Sequence, residues 1–296
     1  MISPKTADRI ATAIFSVIAA FFVVLLLGLL GYIFYRGLPV IDYHFLTSPS
    51  KTMEAGGGVG IQLFNTVYVL VLSLFITVPL GVGGGIYLAE FARRGPFTEL
   101  VRLAVEVLAS LPSIVVGLFG FLVFVYYTGW KFTLLGGALA LAIFNLPLIV
   151  RVTEDALRAI SRDQREASLA LGVTHWHTVV HVLLPSAVPG ILTGIILASG
   201  RAFGEAAALM FTAGMTTLPL DFSNWDIFSP SSPLSPMRPG EVLSVHIWKL
   251  NAESLVPDRL RISDGASALL VLVVLLYNVF ARWLGRAFYR RLTASE

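Results

Sequence analysis

Two ionisable side chains, Arg201 and Glu205, interrupt a run of apolar and small residues that extends from Val182 toward Thr217. One helical turn apart, they share a helix face. A charge inside the hydrocarbon layer is costly, so such a pair serves either a transported ligand or a structural ion pair between helices. The residues alone leave both uses open. His175, His177 and His181 stand close together, but no Asp, Glu or Cys completes a zinc-like set, so they read as surface residues and no metal site is expected. The chain contains no Cys, which removes thiolate ligands and Cys nucleophiles. H-E-x-x-H and G-x-S-x-G are absent, and none of the four lysines follows a glycine, so there is no P-loop. The chain is expected to be neither an enzyme nor an ATP-binding protein of the P-loop kind, and to carry no cofactor. Were the chain to need energy from ATP, it would have to come from another protein.

The elements that position these residues are membrane spans. Apolar residues make up 56% of the chain and charged residues 13%, which places it among all-α integral membrane proteins. Charge-free runs cover Ile10 to Tyr35, Ala55 to Ala89, Val107 to Trp130, Phe132 to Val150, Val182 to Gly200 and Gly265 to Ala281. A span needs roughly 20 such residues, so these runs predict six transmembrane helices, the second starting near Ile61. The first run is far longer than the apolar core of a secretory signal and reads as a retained anchor. With the N-terminus inside, thirteen Lys and Arg fall on the cytoplasmic side, Arg94, Arg290 and Arg291 among them, and seven fall outside. The positive-inside rule therefore puts both termini in the cytoplasm. The expected division is 1–60 for the tail, first helix and outer loop, 61–291 for a helical core, and 292–296 for a C-terminal tail.

Within the core, Pro79 and the cluster Gly81, Gly83, Gly84 and Gly85 read as a helix built for close packing, with a pathway wall as the alternative. Pro112 is expected to bend the third helix. Arg102 and Glu106 are expected to pair on it. On the fifth helix Gly190, Gly194, Ala198, Ala202 and Ala206 form one small-residue row, and Gly200, Gly204 and Ala208 form a second. Arg201 and Glu205 lie between the rows and are expected to face the packed interior, roughly 20 Å or more from the cytoplasmic end. The outer segment 214–265 holds Pro230, Pro233, Pro236 and Pro239, a period of three that suits a stiff polyproline II loop.

The most specific pattern is EASLALGVTHWHTVVHVLLP, from Glu166 to Pro185. Glu166, Ala167 and Ser168 are followed by Gly172, then by Val182, Leu184 and Pro185 at ten, twelve and thirteen residues beyond it. The spacing predicts a short helix to Leu171, a turn at Gly172, and a second helix from a Thr174 cap to Leu184. This segment resembles the EAA loop of ABC-importer permeases, with Ser168 in place of the second Ala and Val182 in place of Ile. LPSIVVGLFG (Leu111 to Gly120) and SGRAFGEAAALMFTAG (Ser199 to Gly214) are similar to stretches of the PstA-type permeases of bacterial phosphate importers. The resemblance, which covers about Gly57 to Arg291, implies a type I ABC importer permease fold in the bacterial inner membrane. It makes 163–185 a cytoplasmic coupling loop and implies inward phosphate transport. The implied partners are a second permease subunit (PstC-like), two subunits that bind Mg-ATP (PstB-like) and an extracytoplasmic phosphate-binding protein (PstS-like). The family links an Arg and a Glu on this helix to phosphate passage, which matches Arg201 and Glu205. Glu205 is then expected to neutralise Arg201 in the empty pathway. Sulfate or molybdate import, a channel and a secondary transporter remain the alternatives.

Overall fold

The computed structural model describes residues 3–51, 53–93, 95–253 and 255–293. Arg94, counted above on the inner side, and residues 294–296 of the expected tail lie outside the described residues. Regular structure among the described residues is entirely helical. In order it comprises α1 (Pro4–Gly37), α2 (Tyr43–Thr47), α3 (Gly60–Ile86), α4 (Pro96–Ser110), α5 (Ser113–Gly120) and α6 (Leu134–Arg158). Then come α7 (Arg162–Ala170), α8 (His175–Thr178), α9 (Leu184–Gly204), α10 (Ala207–Thr212), α11 (Leu243–Ala252) and α12 (Arg259–Thr293). Three π-helical turns extend this set: Tyr87–Phe91 after α3, Phe121–Tyr127 after α5, and Val179–Leu183 between α8 and α9.

Among the described residues, five stretches are long and apolar enough to cross a membrane: Pro4–Val40, Gly60–Phe91, Leu134–Arg158, His175–Gly204 and Arg259–Ala287. The remaining expected span is the pair Pro96–Ser110 and Ser113–Tyr127, which meet at 102°. Pro112 therefore breaks this helix where a bend was expected. A residue before proline is pushed out of the α region, and Leu111 and Pro112 are both extended, with ψ of 136° and 138°. Pro79, Pro147 and Pro189 lie inside continuous helices. In lipid, such prolines are tolerated where neighbours and local adjustments satisfy the freed carbonyls.

α6 is the centre of the bundle. It packs along α3 and α9, with α4, α5 and α10 against its remaining sides. The glycines of α3 make the close approach possible: a Cβ on Gly81 would lie 2.7 Å from an Ile149 methyl, and one on Gly85 would lie 2.5 Å from Thr153 Cβ. Gly194 of α9 would meet Val152 at 2.6 Å in the same way. With little hydrophobic drive between helices in lipid, this backbone-level packing is what holds them. α1 touches mainly α12, and its apolar window is wholly exposed, so it stands at the edge of the bundle.

The segment 214–265 is not a stiff exposed loop. Residues 229–239 run through successive turns, α11 follows, and the last helix begins at Arg259. Ser232, Ser235, Arg238 and residues 240–246 are buried against α3 and α6. Arg238, 1% exposed, donates to Asn65 Oδ1 at 2.7 Å, and Asn65 Nδ2 donates to the Glu241 carbonyl at 3.0 Å. Gln62 Nε2 and His246 Nδ1 both lie 3.0 Å from Glu241 Oε2, and Lys249 Nζ lies 3.3 Å from Oε1. Burial pushes the Arg238 guanidinium down to about 10, so it is still charged at neutral pH. Burial alone would raise the Glu241 carboxyl, but the His246 contact, with Gln62 and Lys249, holds it below its usual range. This clasp returns the loop to the helix ends and replaces the expected polyproline geometry.

The packing at α3 is directly testable. Gly85→Ala is expected to destabilise the detergent-solubilised protein by about 1–3 kcal/mol, the cost of overpacking. Gly83→Ala, whose Cβ would have nothing within 4 Å, should leave the melting temperature nearly unchanged. Equal melting temperatures for the two variants would show that α3 and α6 are free to separate.

Candidate functional site

The expected knob forms. α7 ends at Ala170, Gly172 with φ of +79° supplies the left-handed turn that follows, and the Thr174 side chain accepts from His177 N to cap α8. Ser168, buried where the family pattern has Ala, places its Oγ 3.0 Å from Thr178 Oγ1 and joins the two knob helices. Glu166 and Ala167 are exposed, as are Leu169, Trp176 at 62% and Leu171 at 84%. The second helix does not stop at Leu184. It widens into the π-turn Val179–Leu183, passes Pro185 and continues as α9, so one helical path runs from His175 to Gly204. Val182, Leu184 and Pro185 are half-buried on it. Leu183 is fully buried in a cluster with Leu157, Val179, Ala187 and Ile191.

Glu90 fastens the knob to the bundle. It lies in the π-turn after α3 with its side chain 3% exposed, and it pairs with Arg165 of α7. His175 Nε2 sits 3.2 Å from the Glu90 carbonyl, and Phe91 packs edge-on to the His175 ring at 5.1 Å. The expected Arg102–Glu106 pair does not form; each residue finds a partner on α6, and Arg102 also pairs with Glu99 one turn back on α4. Arg102 bonds Glu154 of α6 at 3.1 Å and Glu99 at 3.0 Å, while Glu106 faces Arg151 at 3.7 Å. A side chain on α4 finds the polar face of α6 before it finds its own next turn. His177 and His181 stack with ring centroids 3.9 Å apart.

At the other end of the path, Arg201 and Glu205 are not brought together. α9 stops at Gly204, Glu205 turns extended with ψ of 110°, and α10 starts at Ala207, so the helical face they were expected to share is cut. Glu205 is 8% exposed; its Oε1 accepts from Ala208 N at 3.2 Å, and its carbonyl accepts from Ser244 at 2.9 Å. Arg201 is exposed on the surface of the protomer and does not face the packed interior. Its guanidinium carbon lies 3.6 Å from the ring centroid of Phe144 on α6, and no carboxylate pairs with it among the described residues. The cation lies over an aromatic face, and its hydrogen-bond donors have no partner among the described residues.

Residues 81–294 match the family described as binding-protein-dependent transport system inner membrane component. The chain belongs to that family. It is a multi-pass inner-membrane permease subunit of an ABC importer, a transport component and not an enzyme. It is 53% identical over 291 residues to the probable ABC transporter permease protein YqgI of Bacillus subtilis, covering 98% of this chain and 99% of that one. It is 37% identical over 246 residues to the phosphate transport system permease protein PstA of Xylella fastidiosa, covering 80% and 83%. A bacterial alginate ABC transporter, solved in complex with its pentasaccharide-bound periplasmic protein, shares the fold with a TM-score of 0.65. That match has 16% identity and covers 96% of each chain. The permease thus has the type I importer fold expected from the sequence.

Two contributors to the site were not read from the sequence. Glu90 had a signal, since it is the lone acidic residue immediately after the uncharged run Ala55 to Ala89. Phe144 had none; an aromatic in an apolar span is unremarkable until the fold sets it under Arg201. Removing the Glu90 charge tests the tie. Glu90→Gln is expected to speed tryptic cleavage after Arg162 and Arg165 several-fold in timed digests read by mass spectrometry, with Glu99→Gln nearly unchanged. An unaltered rate for Glu90→Gln would mean that Phe91 packing alone holds the knob.

Proposed function

We propose that this permease carries inorganic phosphate inward, with Arg201 as the cation that meets the substrate and the Glu166 to Pro185 knob as the port for an ATPase. The observation that carries this reading is the unpaired Arg201 on an exposed face of a membrane span. An arginine inside a span is costly unless water or a polar partner meets it, and stacking on an aromatic ring returns only about 0.5–2 kcal/mol. The remainder has to come from outside the chain, from a water-filled pathway and an anion within it. A guanidinium fork suits a tetrahedral oxyanion because it donates two parallel hydrogen bonds and keeps its charge. The PstA relatives, 32–40% identical, support phosphate as that anion.

In this reading a second permease subunit covers the Arg201 face and completes the pathway. Both termini and the knob lie in the cytoplasm, as the distribution of Lys and Arg favours. Two Mg-ATP-binding subunits dock on the exposed Leu171, Trp176 and Glu166, while an extracytoplasmic phosphate-binding protein delivers the substrate. Closure of the ATPase pair moves the knob, and the helix from His175 to Gly204 carries that movement to Arg201. Glu205, kept apart from Arg201, fixes the broken backbone by capping α10.

Uptake of radiolabelled phosphate, competed with sulfate, tests the proposal in cells that lack their own high-affinity importer and receive this chain with its partner subunits. Arg201→Gln should cut uptake about tenfold or more, the loss of a charge-assisted contact, while the complex still assembles. The double change Glu166→Ala with Gly172→Asp should abolish it. Uptake that survives loss of the ATPase would identify a channel or a secondary transporter, and uptake suppressed equally by sulfate would mark a general oxyanion importer.

A further inference from the structure

At the base of the knob lies a cavity of about 510 Å³. Its polar walls are Glu99 and Arg102 of α4, Arg158 at the end of α6, and Arg162 and Arg165 of α7; the turn after α3 contributes the apolar floor. Four guanidiniums on one cavity repel each other unless something negative lies between them. Three carboxylates answer them in part: Glu99 on Arg102, Glu154 on Arg102 and Arg158, and Glu90 on Arg165. One positive charge is left over.

The hydrogen bonds are short on the same side. Arg102 is fully engaged, since its remaining nitrogen donates to the Leu88 carbonyl at 3.3 Å. Arg158 reaches Glu154 through Nη2 alone at 2.7 Å. Arg162 has no ion-pair or hydrogen-bond partner among the described residues. Arg165 Nε is buried without an acceptor, a condition native structures rarely leave unanswered. α7 begins at Arg162 with no side-chain cap on its first N–H groups. Apart from Glu99, which pairs with Arg102, the surplus consists of donors and positive charge, so the complementary ligand is compact, anionic and rich in acceptor oxygens.

We propose that this cavity binds a phosphate-type oxyanion, held by Arg158, Arg162 and Arg165. Its walls belong to α4, α6 and α7, so a bound anion ties the knob to the bundle beside the Glu90 contact and restrains its swing. Two sources carry this chemistry, free inorganic phosphate and the headgroup of an anionic phospholipid. The exposed apolar face of α4, with Phe97, Leu100 and Val107, brings lipid to the rim of the cavity. The site is separate from Arg201 and does not depend on which substrate passes there.

The test uses the full chain carrying Arg201→Gln, so that the pathway arginine contributes nothing, in phosphatidylcholine nanodiscs. Equilibrium binding of ³²P-labelled inorganic phosphate is measured in one arm. In the other, native mass spectrometry counts phosphatidylglycerol retained from mixed nanodiscs. Saturable phosphate binding that Arg162→Gln weakens about tenfold or more establishes the site with the free ion as ligand. One phosphatidylglycerol retained per chain and lost in Arg162→Gln establishes it with the headgroup as ligand. Arg162 is exposed and unpaired, so its removal leaves the fold intact. Arg286→Gln, an exposed arginine away from the cavity, serves as the control for general charge. Neither ligand bound, or binding lost equally in the Arg162 and Arg286 variants, would overturn the proposal.

Discussion

The close approach of α3 and α9 to α6 is the constraint on which the rest of the permease depends. In lipid the driving force is contact between backbones, and Gly81, Gly85 and Gly194 leave no room for a side chain between α6 and its neighbours. Once α6 is fixed, it sets three further positions. Phe144 presents the ring under Arg201, Thr153 seats Gly85, and Glu154 collects Arg102 and Arg158. A shift of α6 by a fraction of an ångström would disturb all three.

The second organising feature is the helical path from His175 to Gly204. A helix transmits displacement along its axis, and at about 1.5 Å per residue this one separates Trp176 from Arg201 by nearly 40 Å. The π-turn at Val179–Leu183 and the break after Gly204 bound the stiff part of the rod. Glu90, buried in the turn after α3, holds α7 to the bundle through the half-buried Arg165, so displacing the knob would break this ion pair. The tie and the arginine-lined cavity beside it occupy the base of the knob.

Much of this architecture was legible in the sequence. Charge-free runs marked the spans because the hydrocarbon layer rejects ionised groups over a fixed thickness, and the Glu166 to Pro185 spacing marked the knob because only Gly172 accepts its left-handed turn. Packing was correctly read for Gly81, Gly84 and Gly85 of α3, whereas Gly83 faces open space. Pairings were less legible. Arg102 with Glu106, and Arg201 with Glu205, are one turn apart in sequence, yet each of the four residues answers to a partner on another element or to a local backbone change. The proline period in 214–265 predicted a stiff exposed loop, whereas Asn65 and Gln62, silent in the sequence, draw that segment inward through Arg238 and Glu241.

The sequence by itself determined the membrane class, the number of apolar segments, the knob with its turn, and the lack of any P-loop for ATP. These follow from local properties: hydropathy over a span, the conformational freedom of glycine, and the presence or absence of a contiguous motif. Only the tertiary structure decided that Pro112 breaks a helix while Pro79, Pro147 and Pro189 do not, that α9 ends before Glu205, and that Arg201 rests unpaired on Phe144. Those outcomes depend on which neighbour satisfies a freed carbonyl, a carboxylate or a cation across the bundle. That information lies in packing between segments remote in sequence, and no local pattern carries it.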